Sequence, residues 1–319
     1  MVAIRGYGSY VPLYRIERSA IAEQYGERAG GGETAVPAHD ENVTTLGVQA
    51  AKNALSHAGI ESPDAVYAAT TSDDFDERGV APHVAHAVGA GEDARVSDFQ
   101  GSARAATNAV LAARDAVEAG RADTALVVAS DVLTADAGTS AERTAGAGAG
   151  ALVLGAGDGV AALRESAVAT TGFVGRFAPA GETPETGDGR FNRANYLDAV
   201  TTAVGGLDGE FDRAAFPAPD GRWGSKAAGA LDLDAALDST FDAVGFAGAG
   251  GVLLDLAASL DAAEADETVL LAGYGPGGCD ALSIERTTDG TPEMTTDDYI
   301  ESKEYVPYGK HRGFRGGVA

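Results

Sequence analysis

The two candidate nucleophiles of this sequence are its single cysteine and a serine near a predicted helix. Cys279 lies in a glycine-rich turn, and Ser102 lies at the start of a predicted helix. A thiol or hydroxyl becomes an effective nucleophile only beside a base or another feature that lowers its pKa. For Cys279 we therefore favour a buried, inert thiol. For Ser102 we favour a hydroxyl that caps the helix, with a role as nucleophile as the alternative.

The residues that could act as general bases do not form a recognisable catalytic group either. An acidic cluster at residues 73–77 (Asp-Asp-Phe-Asp-Glu) is typical of a solvated loop, although it could supply a general base. The histidines of the sequence are His39, His57, His83, His86 and His311. No Cys/His group has the spacing of a zinc site, and one cysteine cannot form an intrachain disulfide. The Gly/Ala stretch at 146–150 precedes a predicted strand, whereas a phosphate-binding loop precedes a helix.

The whole sequence is strongly acidic. Its 319 residues include 48 Asp and Glu against 23 Lys and Arg, which gives a formal net charge of -25. Acidic residues spread along a chain with few lysines are typical of a surface that stays hydrated in molar salt, where the Debye length is about 3 Å. We therefore expect a halophilic protein. A field of this sign repels phosphate backbones, which excludes nucleic acid as a partner.

The chain has no pattern that predicts membrane insertion. Residues 1–8 have the pattern of a strand and not of a signal peptide. No apolar run reaches the roughly 18 residues that span a bilayer. We therefore expect a cytoplasmic protein without a membrane partner.

Short apolar runs alternate with helical patterns, which favours an α/β fold whose parallel strands are covered by helices. Two comparable series of elements predict an internally duplicated fold. The Gly/Ala stretch at 146–150 indicates close packing of backbones, with a flexible linker as the alternative. Residues 173–195, rich in Gly, Pro, Asp and Glu, are predicted to form a surface excursion between the halves. The predicted elements lie at 2–11, 43–57, 66–70, 80–88, 94–99, 103–119 and 124–130, and then at 160–171, 196–204, 235–244, 250–260, 268–274 and 281–285.

Residues 289–319 differ in composition from the rest of the chain. They combine aromatic and basic residues, among them two of the four lysines of the chain: Tyr299, Lys303, Tyr305, Tyr308, Lys310, His311, Arg312, Phe314 and Arg315. A solvated tail is one interpretation. The other, which we prefer, is a segment that docks on a partner and is loosely packed in the isolated chain, because Tyr and Arg anchor interfaces.

Five sequence blocks, taken in order, resemble the hydroxymethylglutaryl-CoA synthase family of the thiolase superfamily. The blocks are YGSYVPLYRI at 7–16, VPAHDE at 36–41 with the following helix, AERTAGAGAG at 141–150, the segment from Val244 to Asp261, and GYGPGGCDA at 273–281. The resemblance covers residues 2 to about 287. It implies a thiolase fold of two pseudo-symmetric βαβαβαββ halves in five layers (αβαβα), with halves at 1–165 and 166–288.

The residues that perform that family's chemistry are absent at the matching positions. The family's nucleophilic cysteine corresponds to Ala103, and its glutamate corresponds to Thr71. Its histidine, in a Phe-His-Gln-Pro-Asn-Gly block, corresponds to Pro217, and its asparagine corresponds to Phe246. None of these four side chains can serve as a thiolate or carry a proton in general acid–base catalysis. The resemblance therefore implies that the four positions form a degenerate site in a buried cleft between the halves.

The resemblance also implies a ligand and partners. The ligand is a coenzyme A thioester in a tunnel between the halves, near Arg222, Gly275 and Gly277, with no metal. The partners are a second thiolase-fold subunit in a homodimer or heterodimer, a catalytic thiolase and a zinc-ribbon/OB-fold protein. We interpret the chain as a non-catalytic subunit that assembles or stabilises an acyl-CoA-processing complex. The alternatives are an active acyltransferase with relocated residues and a protein that binds CoA thioesters without chemistry.

Overall fold

The computed structural model describes residues 2–75, 77–178 and 182–314. Its strands are β1 (Val2–Tyr10), β2 (Tyr14–Glu17), β3 (Glu33–Val36), β4 (Ala65–Thr70), β5 (Arg95–Gln100), β6 (Thr124–Val132), β7 (Ala147–Ala156), β8 (Ala161–Thr170), β9 (Arg176–Phe177), β10 (Glu185–Thr186), β11 (Arg213–Ala215), β12 (Ala236–Asp238), β13 (Thr268–Gly275), β14 (Gly278–Arg286) and β15 (Glu304–Tyr305). Its helices are α1 (Arg18–Glu23), α2 (Val43–Ala58), α3 (Ala81–Ala87), α4 (Ala105–Glu118), α5 (Gly189–Val204), α6 (Trp223–Ala230), α7 (Phe241–Val244), α8 (Gly248–Ala262), α9 (Thr296–Glu301) and α10 (Tyr308–Phe314).

The main sheet repeats one strand order twice. Its order is β12-β11-β13-β14-β8-β1-β7-β6-β4-β5. In each half the first strand in sequence lies innermost, followed outwards by the fifth, fourth, second and third. The two innermost strands, β1 and β8, pair antiparallel at Ala3–Ala162 and Ile4–Ala161. The thiolase fold with two pseudo-symmetric halves is therefore confirmed. The proposed division at 165 and 166 falls within β8, and the domain limits stay a prediction.

Helices form the other three layers. Helices α4 and α8 lie between the two sets of strands, and eleven residues of α8 are buried. Helices α2 and α3 cover the outer face of the first set, and α5 and α6 cover the outer face of the second. The start of α2 follows from its sequence, because the Asn42 side chain accepts a hydrogen bond from the Thr45 N–H in a capping box. No helix among the described residues is long and apolar enough to cross a membrane.

The predicted close approach of backbones at the Gly/Ala stretch is confirmed. A Cβ on Gly150 of β7 would lie 2.5 Å from the Leu253 carbonyl carbon, and a Cβ on Gly250 of α8 would lie 2.2 Å from the Gly148 oxygen. Only glycine permits this separation of strand and helix. The stretch is therefore part of the core and not a linker.

The described part of the C-terminal segment packs on its own chain. Strand β15 pairs with β2, which also pairs with β3. Lys303 Nζ and the Tyr305 hydroxyl each donate to the Glu33 carboxylate at 2.6 Å. Tyr308 and Arg312 donate to Glu142. The expectation of loose packing is wrong for residues 289–314, because their aromatic and basic groups find partners within the chain. Arg315 lies outside the described residues, and docking on another subunit stays a prediction.

Candidate functional site

Two adjoining cavities lie where the halves meet. The inner cavity has a volume of about 290 Å³ and is lined by Thr71 and Ala103 of the first half and by Phe246 of the second. Pro217 was expected beside them, but it is buried and is not among the described lining residues. Its neighbours on both sides belong to the core of the second half, and Pro219 lines the cavity instead. The structure thus brings together three of the four positions that were expected to form a degenerate site.

The turn before α4 is held by hydrogen bonds and close packing. The Ser102 hydroxyl donates to the Pro276 carbonyl at 3.0 Å and accepts from the Arg104 N–H at 3.3 Å. A Cβ on Gly275 would lie 2.2 Å from the Ser102 Oγ, so this position requires glycine for close approach. The Ser102 hydroxyl is therefore engaged with the backbone of the turn. It does not cap α4, whose N-cap residue is Arg104 and which has no side-chain cap, so the capping interpretation is wrong.

Arg104 joins this turn to the second half. Its guanidinium donates two hydrogen bonds to the Asp280 carboxylate, at 2.7 and 3.0 Å, and one to the Gly277 carbonyl at 3.0 Å. Asp280 is fully buried and also accepts from the Thr107 hydroxyl at 2.8 Å. The hydrogen bonds to Asp280 raise the pKa of Arg104. This two-pronged pair fixes α4 against β14.

The backbone N–H and the hydroxyl of Thr71 both donate hydrogen bonds to a buried carboxylate, that of Asp131. Asp131, at the end of β6, accepts from the Thr71 N–H at 2.7 Å and from its hydroxyl at 3.1 Å. It also accepts from the hydroxyls of Thr70 and Ser72 and from the Ala249 N–H. Burial raises the pKa of Asp131 despite these bonds. Asp131 is thus fully used in joining β4, β6 and α8, and it does not line the inner cavity.

The other candidates from the sequence lie outside both cavities. Cys279 is buried in the core of the second half, where burial and then Asp280 raise the pKa of its thiol. His57 packs edge-on against Tyr7, and His311 is a buried residue of α10 in the C-terminal segment. In the acidic cluster, residue Asp76 lies outside the described residues. No group of three potential metal ligands occurs in the part of the chain that the structure describes.

The outer cavity is rich in arginine. Its volume is about 680 Å³, and its lining includes Arg18, Arg28, Arg143, Arg176 and Arg222. Three of these arginines form ion pairs with acidic residues. The pairs are Arg18–Asp242, Arg143–Glu27 and Arg222–Asp220. Of the three positions expected near CoA, Arg222 lines the outer cavity and Gly275 lines the inner one. Gly277 is not among the described lining residues of either cavity, and its carbonyl accepts a hydrogen bond from Arg104.

Arg176 is the residue of this site that the sequence did not single out. It lies on the short β9–β10 hairpin within the predicted surface excursion, and it lines both cavities. Its guanidinium carbon is 5.8 Å from the centre of the Phe246 ring. Burial lowers the pKa of Arg176, and Asp131 partly opposes this shift. Nothing in the sequence around this single arginine, in a segment rich in Gly and Pro, predicts that it lies between two cavities.

Comparison with known proteins identifies the family. No protein-family model matches the sequence. The hydroxymethylglutaryl-CoA synthase of Methanopyrus kandleri is 32% identical over 337 residues, which cover 97% of this chain and 96% of the relative. The enzyme of Archaeoglobus fulgidus is 32% identical over 341 residues, 98% of each chain. The chain belongs to the hydroxymethylglutaryl-CoA synthase family.

Solved structures agree with membership of this hydroxymethylglutaryl-CoA synthase family. A hydroxymethylglutaryl-CoA synthase in complex with CoA superimposes with a TM-score of 0.85 at 21% identity, covering 98% of this chain and 89% of that one. The 3-oxoacyl-(acyl carrier protein) synthase III of Pseudomonas aeruginosa gives a TM-score of 0.82 at 26% identity, covering 91% and 99%. These likenesses show that the chain has the fold of those proteins.

Proposed function

We propose that this member of the hydroxymethylglutaryl-CoA synthase family binds a CoA thioester without performing the condensation, as a non-catalytic subunit of an acyl-CoA-processing complex. One observation carries the proposal. Among the described residues that line the inner cavity there is no Cys, His, Asp or Glu. Condensing two thioesters requires a nucleophile and a group that transfers protons.

The outer cavity supports retention of the CoA thioester. Five arginines line one cavity of a chain whose formal net charge is -25. Guanidinium groups bind phosphates through two parallel hydrogen bonds, and CoA carries several phosphate oxygens. A hydroxymethylglutaryl-CoA synthase of the same fold has been solved with CoA. We therefore propose that the outer cavity holds the CoA moiety and the inner cavity holds the acyl group.

Ser102 and Tyr274 line the inner cavity and are polar, but neither has the properties of a catalytic group. The Ser102 hydroxyl donates to the Pro276 carbonyl, so its proton is not directed at a base. Burial raises the pKa of Tyr274 to about 12, which leaves the phenol protonated at neutral pH. A general acid–base group works best with a pKa near the working pH.

Mass spectrometry after incubation with acetyl-CoA tests this proposal. We expect the wild-type chain to gain no acetyl group. Restoring the thiol with Ala103→Cys in a Cys279→Ser background should create one reactive thiol at the start of α4, labelled by iodoacetamide faster than the buried Cys279 of the wild type. A stable acetyl adduct on the wild-type chain would overturn the proposal and favour the active acyltransferase.

We also propose that β5 joins this chain to a second thiolase-fold subunit, in a homodimer or in a heterodimer with a catalytic thiolase. β5 is an edge strand of the main sheet, and four of its six residues are exposed. Such an edge is a template for pairing with another strand. Light scattering should give a two-subunit mass that Val96→Pro reduces to one. A wild-type monomer, alone and after mixing with the thiolase and the zinc-ribbon/OB-fold protein, would contradict this.

The surface charge supports work at high salt. With a formal net charge of -25, removal of salt leaves carboxylate repulsion unscreened. We expect the melting temperature to fall when potassium chloride is reduced from molar to millimolar concentration. An unchanged melting temperature would refute the halophilic interpretation.

A further inference from the structure

Glu142 is a buried carboxylate that joins the C-terminal helix α10 to the segment between β6 and β7. It is 2% exposed, and it accepts hydrogen bonds from the Tyr308 hydroxyl at 3.0 Å and from the Arg312 guanidinium at 3.1 Å. It also accepts from the Gly138 N–H at 2.7 Å. A buried carboxylate is costly unless it has a charged partner, and here Arg312 supplies one. Glu142 therefore depends on α10 for its ion pair and for a second hydrogen bond.

The segment that carries Glu142 has little local structure of its own. Residues 133–146, all of which the structure describes, contain no helix or strand. The end of the segment is fixed by an isolated bridge between Ala145 and Phe246. Before that bridge, bonds between neighbours such as Thr139 and Asp136 shape a turn but do not place it on the protein. The position of the segment therefore depends on contacts with other parts of the chain, among them the buried ion pair of Glu142.

Residues 133–146 also form part of the wall of the outer cavity, and we call them the first wall segment. Ala135, Ala141 and Arg143 are among its lining residues, so Glu142 lies between two residues that face the cavity. The Arg312 guanidinium also lies 3.5 Å from the Ala135 carbonyl oxygen. Among the described residues, none of α10 lines the cavity. Helix α10 thus contacts this wall without contributing to its surface.

A second wall segment, residues 28–31, is tied to the first one and to α10. All four of its residues line the outer cavity. Just before it, Glu27 forms an ion pair with Arg143 of the first wall segment. The Tyr25 hydroxyl forms a hydrogen bond with the Tyr308 hydroxyl, and the two rings pack edge to face with centroids 6.1 Å apart. Helix α10 therefore reaches both of the segments that bring arginines to this part of the cavity.

We propose that α10 positions the arginines of the outer cavity, with Tyr308 and Arg312 as positioning residues that act through Glu142. This inference rests on the proposed function, since it takes CoA as the occupant of the outer cavity. Arg28 and Arg143 bind phosphate oxygens well only when their planar guanidinium groups are held in place before the ligand arrives. The contacts of α10 hold them. Because coupling between two sites is reciprocal, CoA in the cavity in turn stabilises the packing of α10.

Isothermal titration calorimetry with free CoA tests the positioning role. Tyr308→Phe removes one hydroxyl and Arg312→Met removes the ion pair, and both positions lie outside the described lining of the cavity. In molar potassium chloride we expect each variant to raise the Kd for free CoA about fivefold or more. Lys310→Met is the matched control on the same helix, because Lys310 is exposed and its Nζ lies 4.2 Å from the centre of the Tyr14 ring. Its Kd should equal that of the wild type. An unchanged Kd in both test variants would overturn the proposal.

A conservative variant separates positioning from a loss of stability. Arg312→Met leaves a buried carboxylate without its cation, so its midpoint of urea unfolding should fall. Arg312→Lys keeps a cation for Glu142 and should recover both the midpoint and most of the affinity for CoA. Tyr308→Phe keeps the ion pair, so its midpoint should equal that of the wild type while its Kd still rises. A Kd that rises only where the midpoint falls would indicate a purely structural role and contradict the proposal.

Hydrogen exchange measured by mass spectrometry reports on the coupling itself. Saturating free CoA should slow the exchange of backbone amides in residues 308–314 of the wild type as well as in the two wall segments. In Tyr308→Phe the slowing should remain in the wall segments and be lost in α10. Slower exchange of the wild type that is confined to the wall segments would show that α10 is not coupled to the cavity.

The failure of the proposed function gives a different result. In that case free CoA does not bind to the wild type, and exchange is compared among the ligand-free proteins. Faster exchange in the first wall segment of Tyr308→Phe and Arg312→Met, and not of Lys310→Met, would keep the positioning role while rejecting the CoA ligand. Equal exchange in all four proteins would reject both.

Discussion

Two arginines beside the inner cavity have opposite surroundings. Arg104 is paired with a buried carboxylate and a backbone carbonyl, and it joins α4 to β14. Arg176, on the β9–β10 hairpin, has a phenylalanine ring as its recorded contact. Both are arginines next to apolar surface, so residue type does not distinguish them. Their partners do: Arg104 forms an ion pair with Asp280, and Arg176 forms none among the described residues.

This difference separates a structural role from a binding role. A buried ion pair is costly to break, because the remaining charge keeps its desolvation penalty without compensation. Arg176 is half-buried and forms no ion pair among the described residues, so its removal leaves no described carboxylate without its partner. Removing Arg104 should therefore affect folding, whereas removing Arg176 should affect ligand recognition.

The largest expected effect is that of Arg104→Met. The substitution leaves the fully buried Asp280 with the Thr107 hydroxyl but without its ion pair. We expect a loss of about 3–5 kcal/mol in the free energy of unfolding. Urea unfolding followed by circular dichroism measures it, with Arg222→Met, which breaks an exposed pair, as a control without measurable effect. An unfolding midpoint equal to that of the wild type would contradict the structural role of Arg104.

A buried carboxylate without a cation gives an intermediate effect. Asp255 of α8 accepts from the Thr240 N–H and hydroxyl at 2.8 and 2.7 Å, and burial raises its pKa from 3.8 to about 6. As pH rises from 3.8 to about 6, the unfolded chain releases this proton before the folded chain does. Its contribution to stability is therefore complete below 3.8 and is lost as pH rises towards 6. The loss amounts to at most about 3 kcal/mol.

Asp255→Asn removes this titration. We expect the difference in unfolding free energy, wild type minus variant, to decrease between pH 4 and pH 6, as measured by urea unfolding at each pH. Taking a difference cancels the many other carboxylates. Thr240→Val, which removes one donor to the carboxylate, should move the window to higher pH. A difference that is constant with pH would show that the Asp255 carboxyl ionises as it does in the unfolded chain.

The smallest effect is expected for Arg176→Met without ligand. Methionine keeps most of the packing of the aliphatic stem and removes an uncompensated cation. We expect the free energy of unfolding to stay within about 1 kcal/mol of the wild type, or to rise. Thermal unfolding in molar salt measures this. A clear destabilisation would mean that Arg176 has a protein partner, and the contrast with Arg104 would disappear.

The amino-acid sequence by itself determined the features that depend on neighbouring residues. The helix predicted at 43–57, the strand predicted at 124–130 and the Gly/Ala stretch at 146–150 each carry their own local signal, and the structure has each where the pattern predicts it. The order of the family-like blocks was equally readable. It led to the thiolase fold and to Thr71, Ala103 and Phe246 as lining residues of one cavity.

Only the tertiary structure decided which distant groups meet. Arg104 and Asp280 are 176 residues apart, and Tyr305 and Glu33 are 272 apart. The basic and aromatic composition of the C-terminal segment led to an expectation of loose packing that is wrong, because these groups bind the chain's own Glu33 and Glu142. Docking on another subunit stays a prediction. Arg176 looked like one charge in a solvated loop until the β9–β10 hairpin placed it between two cavities. The physical reason is that the energy of a charge depends on burial and on its partners, and both are set by the folded arrangement of the two halves.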